Sequence, residues 1–247
     1  MNPQLKVLTV IFDGEIKSWE LPAFRGAVIE KAGRENLLFH NHVGDGYRYA
    51  YPLIQYKSVR NQPSLLCLGE GVDEIHHFFA RRDWSLRISG RTLDMKIIHL
   101  NMDYVTLKAG EPLFPYRIRN WIALNQQSVA DFHALKSPVE QTAFLEKKLI
   151  GNILSFAKGV GWHVEQQIHL RITQMEDIRP VRVKGVTVQG FNLRFASNVF
   201  LPRLIGLGGK VSLGYGVVSP DRPHQSGEEA LSAAEPAFPP TPENPEP

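Results

Sequence analysis

Residues 38–57 read Leu-Phe-His-Asn-His-Val-Gly-Asp-Gly-Tyr-Arg-Tyr-Ala-Tyr-Pro-Leu-Ile-Gln-Tyr-Lys, and among them are the side chains best suited to moving protons. Histidine titrates near neutral pH, so an imidazole can take up a proton and release one under the same conditions. His40 and His42 are one residue apart. In an extended segment alternate side chains project to the same side, so both rings can reach one reacting group. Metal-free cleavage of a ribose phosphodiester asks for such a set. A base takes the proton of the 2′-OH, an acid protonates the departing 5′-oxygen, and a cation or hydrogen-bond donor steadies the charge on phosphorus. Tyr49 and Lys57 are the nearby groups able to position or stabilise it. On spacing alone two other readings stay open: a metal pair, for which no further arranged ligands can be identified, and two surface loop histidines without a role. The letters His-Asn-His do not make an HNH nuclease motif, which spreads its residues over a metal-binding hairpin and helix. The remaining histidines (His76 and His77 on a helix, His99 and His169 in strands, His133 and His163 near helix ends) read as structural.

The second chemical feature is Gly206-Leu207-Gly208-Gly209-Lys210-Val211-Ser212-Leu213-Gly214-Tyr215-Gly216, five glycines in eleven residues. A phosphate-binding Walker loop needs Ser or Thr after Gly-Lys, and Val211 follows Lys210. A dinucleotide fingerprint needs a glycine where Val211 stands and a helix after it, whereas this loop leads into a strand. Gly206, Gly208, Gly209, Gly214 and Gly216 let backbone amides approach a phosphate, and Lys210 adds a mobile cation. A tight strand connection that merely needs glycine is the competing reading.

Charge points to a polyanionic partner. The net formal charge of +3 is uneven: residues 221–247 hold six acids and one base, leaving 27 bases and 19 acids in 1–220, a net of +8. Clustered Lys and Arg release counterions from phosphates. Arg117, Arg119, Arg171, Arg182, Lys184 and Arg194 fall in strands and are candidates for a basic surface. The 221–247 segment carries seven prolines and almost no large apolar residues, so it is expected to be a disordered acidic tail, which could also compete with RNA for the basic face. No apolar run nears the roughly 20 residues of a membrane span. No secretory signal opens the chain, and the one cysteine, Cys67, lies in the apolar run 65–68. A cytoplasmic protein without membrane contact is expected.

These groups need elements to hold them, and the chain runs through one plan twice. In the first copy the pattern predicts strand 5–12, helix 22–31, strands 47–59 and 63–68, helix 73–82, and strands 84–88 and 95–107. In the second copy a period-2 strand begins at Tyr116. A helix follows, opened by a Ser137/Glu140 capping box with Pro138 in its first turn and carrying Leu145, Leu149, Ile153, Phe156 and Val160 on one face. Strand 168–172, a long strand 179–195 bent at Gly185 and Gly190, a short turn 201–205 and a closing strand 214–218 complete it. The fold class expected is α+β: tandem ferredoxin-like (RRM-like) domains, each an antiparallel sheet with helices on one face. Their bounds are 1–107 and 116–220, with a linker at 108–115. The other face of each sheet would be free for single-stranded nucleic acid.

Gly–apolar–Gly, five residues with a Lys or Arg among them, then Gly-x-Gly, at the end of tandem ferredoxin-like domains, resembles the signature of the RAMP superfamily of CRISPR-associated proteins. Within it the chain is most similar to the repeat-processing (pre-crRNA) endoribonucleases. Gly206, Gly208, Lys210, Gly214 and Gly216 fall on motif positions. The likeness extends in outline over 4–218 and is sharp at the loop and at 24–57. It implies that His40 and His42, with Tyr49 assisting, act as general acid and base. It also implies 2′-OH attack leaving a 2′,3′-cyclic phosphate, with no metal or cofactor, and RNA gripped by the glycine loop, Lys210 and Lys57. CRISPR repeat RNA is the expected partner; other CRISPR-associated proteins and a second copy of the chain stay open. Two rivals remain: a non-catalytic RNA-binding subunit of a CRISPR effector complex, which shares fold and loop, and an RNA chaperone without sequence preference.

Overall fold

The computed structural model describes residues 2–40, 51–81, 83–183 and 185–221 in full, and the backbone of 42, 43, 46 and 47. Tyr49, the side chain of His42, Lys184 and the expected tail at 222–247 lie outside the described residues.

The first half runs β1 (Gln4–Phe12), α1 (Leu21–Ala32), α2 (Leu37–His40), β2 (His42–Val43), β3 (Gly46–Tyr47), β4 (Ile54–Val59), β5 (Gln62–Leu68), α3 (Glu70–Glu74), α4 (His76–Phe79), β6 (Ser85–Ile88), β7 (Arg91–Asp94) and β8 (Ile97–Thr106). The second half runs β9 (Ala109–Trp121), α5 (Gln126–Ala134), α6 (Pro138–Gly159), β10 (Leu170–Val183), β11 (Val186–Val199) and β12 (Val217–Pro220). The two main sheets have orders β4-β5-β1-β8 and β10-β11-β9-β12, antiparallel throughout. Counted within its half, each sheet places its strands second, third, first, fourth. The ferredoxin-like plan is therefore present twice. In the second copy, a turn-rich segment ending in the glycine loop replaces the helix between the third and fourth strands.

Local rules explain the helices. Leu21, Phe24, Val28 and Ala32 recur at three- and four-residue spacing and bury one face of α1. Phe24 packs edge-on against Phe12 of β1 and Tyr56 of β4, and Phe78 of α4 closes on Phe12. The α6 capping box is formed: the Glu140 N–H donates to Ser137 Oγ at 3.2 Å, and the Ser137 N–H donates to Glu140 Oε2 at 3.1 Å. Leu145, Leu149, Ile153 and Phe156 are its buried stripe. Cys67 is buried, and burial pushes its thiol up to about 12, so it is an inert core residue.

Six expectations change. Residues 108–115 are not a linker, because β9 starts at Ala109 and only Leu107 and Lys108 separate the sheets. The strand expected over 179–195 is a hairpin, with Val183 paired to Val186 and Gly185 between them at φ +82°. The strand expected over 47–59 begins at Ile54, and the helix expected over 73–82 is two short helices meeting at Ile75. The 126–134 helix was not expected from the pattern; Asn125 caps it through its side chain. Finally, the far face of the first sheet is not free. Leu5, Val7, Leu66 and Leu68 join Tyr51 and Leu53 in one continuous core with Phe156, Leu201, Ile205 and Leu207 of the second half. Two sheets that share a core cannot swing independently.

Candidate RNA-processing site

The glycine loop folds onto the first domain. The buried Tyr51 hydroxyl donates to the Gly206 carbonyl at 2.8 Å. The Gly206 N–H donates to Gln55 Oε1 at 3.0 Å, and Gln55 Nε2 donates back to the Tyr51 hydroxyl at 2.9 Å. This closed polar triangle bridges residues more than 150 apart in sequence. Burial drives the Tyr51 phenol well above its ordinary range, so it stays a neutral donor.

Most glycine amides are engaged within the protein. Leu207 donates to Gly216 O, Gly209 to Ile122 O, Gly214 to Val211 O and Gly216 to Asn120 O, at 2.9 to 3.2 Å. The spacing of the glycines follows from close approach. A Cβ on Gly216, at φ +63°, would lie 1.9 Å from Leu207 O. One on Gly208, at φ +92°, would lie 2.7 Å from Ile122 O, and one on Gly214 would meet the Leu21 side chain of α1 at 2.7 Å. What the loop offers outward is its turn. Lys210 is exposed in the left-handed region at φ +57°, and a single 3₁₀ turn over Val211–Leu213 follows it.

His40 closes α2. Its carbonyl accepts from Arg25 Nη2 at 2.6 Å, and its ring Nε2 lies 2.7 Å from the Arg34 carbonyl. One residue back, the Phe39 carbonyl accepts from the buried Tyr56 hydroxyl at 3.0 Å. Arg25 also stacks its guanidinium 5.9 Å above the Tyr56 ring. Helix α1 therefore touches both parts of the candidate site: Leu21 abuts Gly214, and Arg25, one turn on, holds His40. One turn advances about 5.4 Å, so the two contacts share a face of one helix. The backbone of His42 lies just beyond, paired across β2–β3 with Tyr47.

Lys57 was expected at an RNA-facing surface. It is instead 2% exposed on β4, the next inward-facing residue after Gln55. Its Nζ has no hydrogen-bond partner among the described residues and lies 3.1 Å from where a Cβ on Gly206 would stand. Burial without a counter-charge lowers its pKa from 10.5 to about 7. An ammonium group thus waits under the loop, close to its neutral form.

The strand arginines divide. Arg117 and Arg194 clamp Glu176 at 2.7 and 2.9 Å, and Arg194 also reaches Asp221 at 2.9 Å. Burial alone would raise the Glu176 carboxyl, but the two guanidiniums outweigh it and hold it below the usual range. Those two arginines belong to sheet structure, while Arg171 and Arg182 stay exposed along β10. Tyr51, Gln55 and Asn120 are positioning residues that the sequence did not reveal, because each acts through a partner remote in the chain.

A family model described as the Cas6b N-terminal domain matches residues 3–106, and one described as the Cas6b C-terminal domain matches 108–220. Over 109 residues the chain is 36% identical to an uncharacterised protein of Methanocaldococcus jannaschii, spanning 44% of this chain and 73% of that one. A crystal structure of Cas6b superposes with a TM-score of 0.81 at 25% identity, over 88% of this chain and 100% of that chain. A second Cas6b, a CRISPR RNA processing endoribonuclease, superposes at 0.65 with 22% identity over 88% and 100%. No helix among the described residues is long and apolar enough to cross a membrane. Both halves match the family's own domain models in order, and the chain belongs to the Cas6b family.

Proposed function

We propose that this chain is an endoribonuclease that cuts CRISPR repeat RNA into guide RNAs. The observation that carries the reading is the seat of the glycine loop on α1 and β4, one helical turn from the contact that holds His40. Membership in the Cas6b family supports the same conclusion.

The reaction is an internal transesterification. A base withdraws the 2′-OH proton as the 2′-oxygen bonds to phosphorus, and the P–O5′ bond breaks as an acid protonates the 5′-oxygen. The products are a 2′,3′-cyclic phosphate and a 5′-OH. His40 and His42 are the acid and base, and Tyr49 assists in positioning the phosphate. Lys210 and its turn hold the backbone from the exposed side. Lys57, buried beneath Gly206, supports the loop from below and is not placed on the RNA.

The test is cleavage of end-labelled repeat RNA in excess EDTA, with the product end assayed for a cyclic phosphate. Replacing His40 and His42 together with alanine is expected to cost at least about 10²-fold in single-turnover rate with binding retained. Wild-type cutting by that variant overturns the assignment of roles. A wild-type chain that binds repeat RNA tightly and leaves it whole identifies an RNA-binding subunit instead.

A further inference from the structure

Helix α2 is a single four-residue turn, too short to hold its own shape, and His40 is its last residue. Larger elements fix it from both ends. Before it, α1 ends at Ala32 and the chain turns over residues 33–36. The Asn36 N–H donates to the Gly33 carbonyl at 3.1 Å, and the Asn36 side-chain amide donates to the Ala32 carbonyl at 2.8 Å. Gly33 sits at φ +106°, in the region that favours glycine. The Arg34 carbonyl, inside this closed turn, is therefore fixed relative to α1. At the far end of α2 two successive carbonyls are held from outside the helix. That of Phe39 accepts from the Tyr56 hydroxyl of β4, and that of His40 accepts from Arg25 of α1. Burial drives the Tyr56 phenol well above its ordinary range, so the hydroxyl remains a donor.

The ring contact then has one chemical meaning. A carbonyl oxygen accepts hydrogen bonds and cannot donate, so the nitrogen 2.7 Å from the Arg34 carbonyl must carry a proton. That nitrogen is Nε2. A neutral imidazole has one N–H, so its basic lone pair sits on Nδ1. A protonated ring has N–H groups on both nitrogens and needs no such choice. Selecting a tautomer is of use to a ring that begins the reaction neutral, and that is the state of a general base.

Resting on the endoribonuclease reading above, we infer that His40 is the general base and works through Nδ1, with the Arg34 carbonyl, Arg25 and Tyr56 as its positioning groups. Nδ1 takes the 2′-OH proton as the 2′-oxygen bonds to phosphorus. The ring becomes an imidazolium whose Nε2–H stays on the Arg34 carbonyl, so the contact that sets the tautomer survives the transfer. The P–O5′ electron pair departs with the 5′-oxygen, which takes its proton from His42. Arg25 and Tyr56 touch no reacting atom; they keep the peptide carrying the base from shifting.

Repeat RNA with a bridging sulfur in place of the scissile 5′-oxygen separates the two roles. A thiol, with a pKa of about 8.5, is far more acidic than an alcohol, so a thiolate leaves without a proton and the acid becomes dispensable while the base does not. On this substrate His42→Ala should recover to within about tenfold of the wild-type single-turnover rate, and His40→Ala should stay at least about 10²-fold below it. Recovery of His40→Ala instead, or of neither variant, overturns the assignment. Wild-type cutting of ordinary RNA by both variants would overturn the underlying reading along with it. The tautomer is read without RNA or turnover, from the imidazole nitrogen-15 resonances of the free protein at about pH 9, above the histidine range, with His40 assigned by comparison with His40→Gln. Nδ1 should give the signal of an unprotonated nitrogen; a proton on Nδ1, or averaged signals, overturns the proposal. Arg25→Met should lower the saturated rate at least about tenfold with RNA affinity within about threefold, and Arg25→Lys, still able to donate to the His40 carbonyl, should regain most of the loss. Arg25→Met cutting at the wild-type rate would remove Arg25 from the positioning set.

Discussion

Lys57 is the most exposing test of how the loop is built. A buried ammonium costs stability whenever it is charged, and that of Lys57 has no partner among the described residues; Lys57→Met keeps the alkyl stem while removing that cost. The magnitude follows from linkage. In the unfolded chain the amine titrates near 10.5; in the folded chain near 7. Below pH 7 both states hold the proton, so the penalty is complete and independent of pH. Between the two values the unfolded state binds more protons, so wild-type stability climbs with pH by up to about 1.4 kcal/mol per unit. Above 10.5 the penalty is gone. The shift of about 3.5 units corresponds to an upper limit of about 5 kcal/mol, a large share of the roughly 5–15 kcal/mol that holds a domain together. Urea unfolding of wild type and Lys57→Met at a series of pH values from 6 to 10 isolates the effect, because every other titrating group cancels in the difference. The variant should be the more stable protein at pH 6, and the gap should close as pH rises. Parallel curves across that window would mean that Lys57 titrates alike in both states. The picture of a charge stranded under Gly206 would then be wrong.

Two further predictions concern the loop and the helix beneath it. Gly216→Ala places a Cβ 1.9 Å from a backbone carbonyl in a left-handed conformation and should lower stability by at least about 2 kcal/mol, whereas Gly26→Ala in α1, with nothing within 4 Å of the new Cβ, should raise it by about 0.5–1 kcal/mol. Thermal unfolding of the pair separates a glycine that geometry requires from one it does not. Lys210→Ala should weaken repeat-RNA binding and reduce the slope of log K against log salt by about 0.7, one single-strand phosphate contact. An unchanged slope would remove Lys210 from the RNA interface.

Much of the fold was legible because its signals are local. The Ser137/Glu140 box, the Leu145–Phe156 stripe and the α1 face each lie within a few turns of sequence, and each formed as its pattern implies. The failures have physical reasons as well. Residues 179–195 alternate without interruption through a turn that a single positive-φ glycine provides, so the pattern does not distinguish one bent strand from a hairpin. Helix α5 buries only Ser128 and Phe132, too narrow a stripe to register against the surrounding polar residues. The packing of one sheet's far face into the other domain could not be seen either. Leu5, Val7, Leu66 and Leu68 look like any strand residues until their partners, Leu201 to Leu207, are brought across the molecule.

The glycine loop shows how a correct pattern can rest on a different cause. Five glycines near a lysine suggested amides bared for phosphate. In the folded chain the glycine N–H groups at 206, 209, 214 and 216 are donors to the protein itself. What glycine provides is room: for Leu207 O beside Gly216, for Ile122 O beside Gly208, and for Leu21 beside Gly214. Those approaches let a loop from the second domain lie flat on α1 and β4 of the first, with one exposed turn at Lys210 and one buried amine at Lys57 on either side of it. A substitution at Gly214 should therefore injure the site by lifting the loop off α1, not by removing an RNA contact. That distinction is measurable, because lifting the loop also breaks the Tyr51–Gln55–Gly206 triangle and so lowers stability in the absence of any RNA.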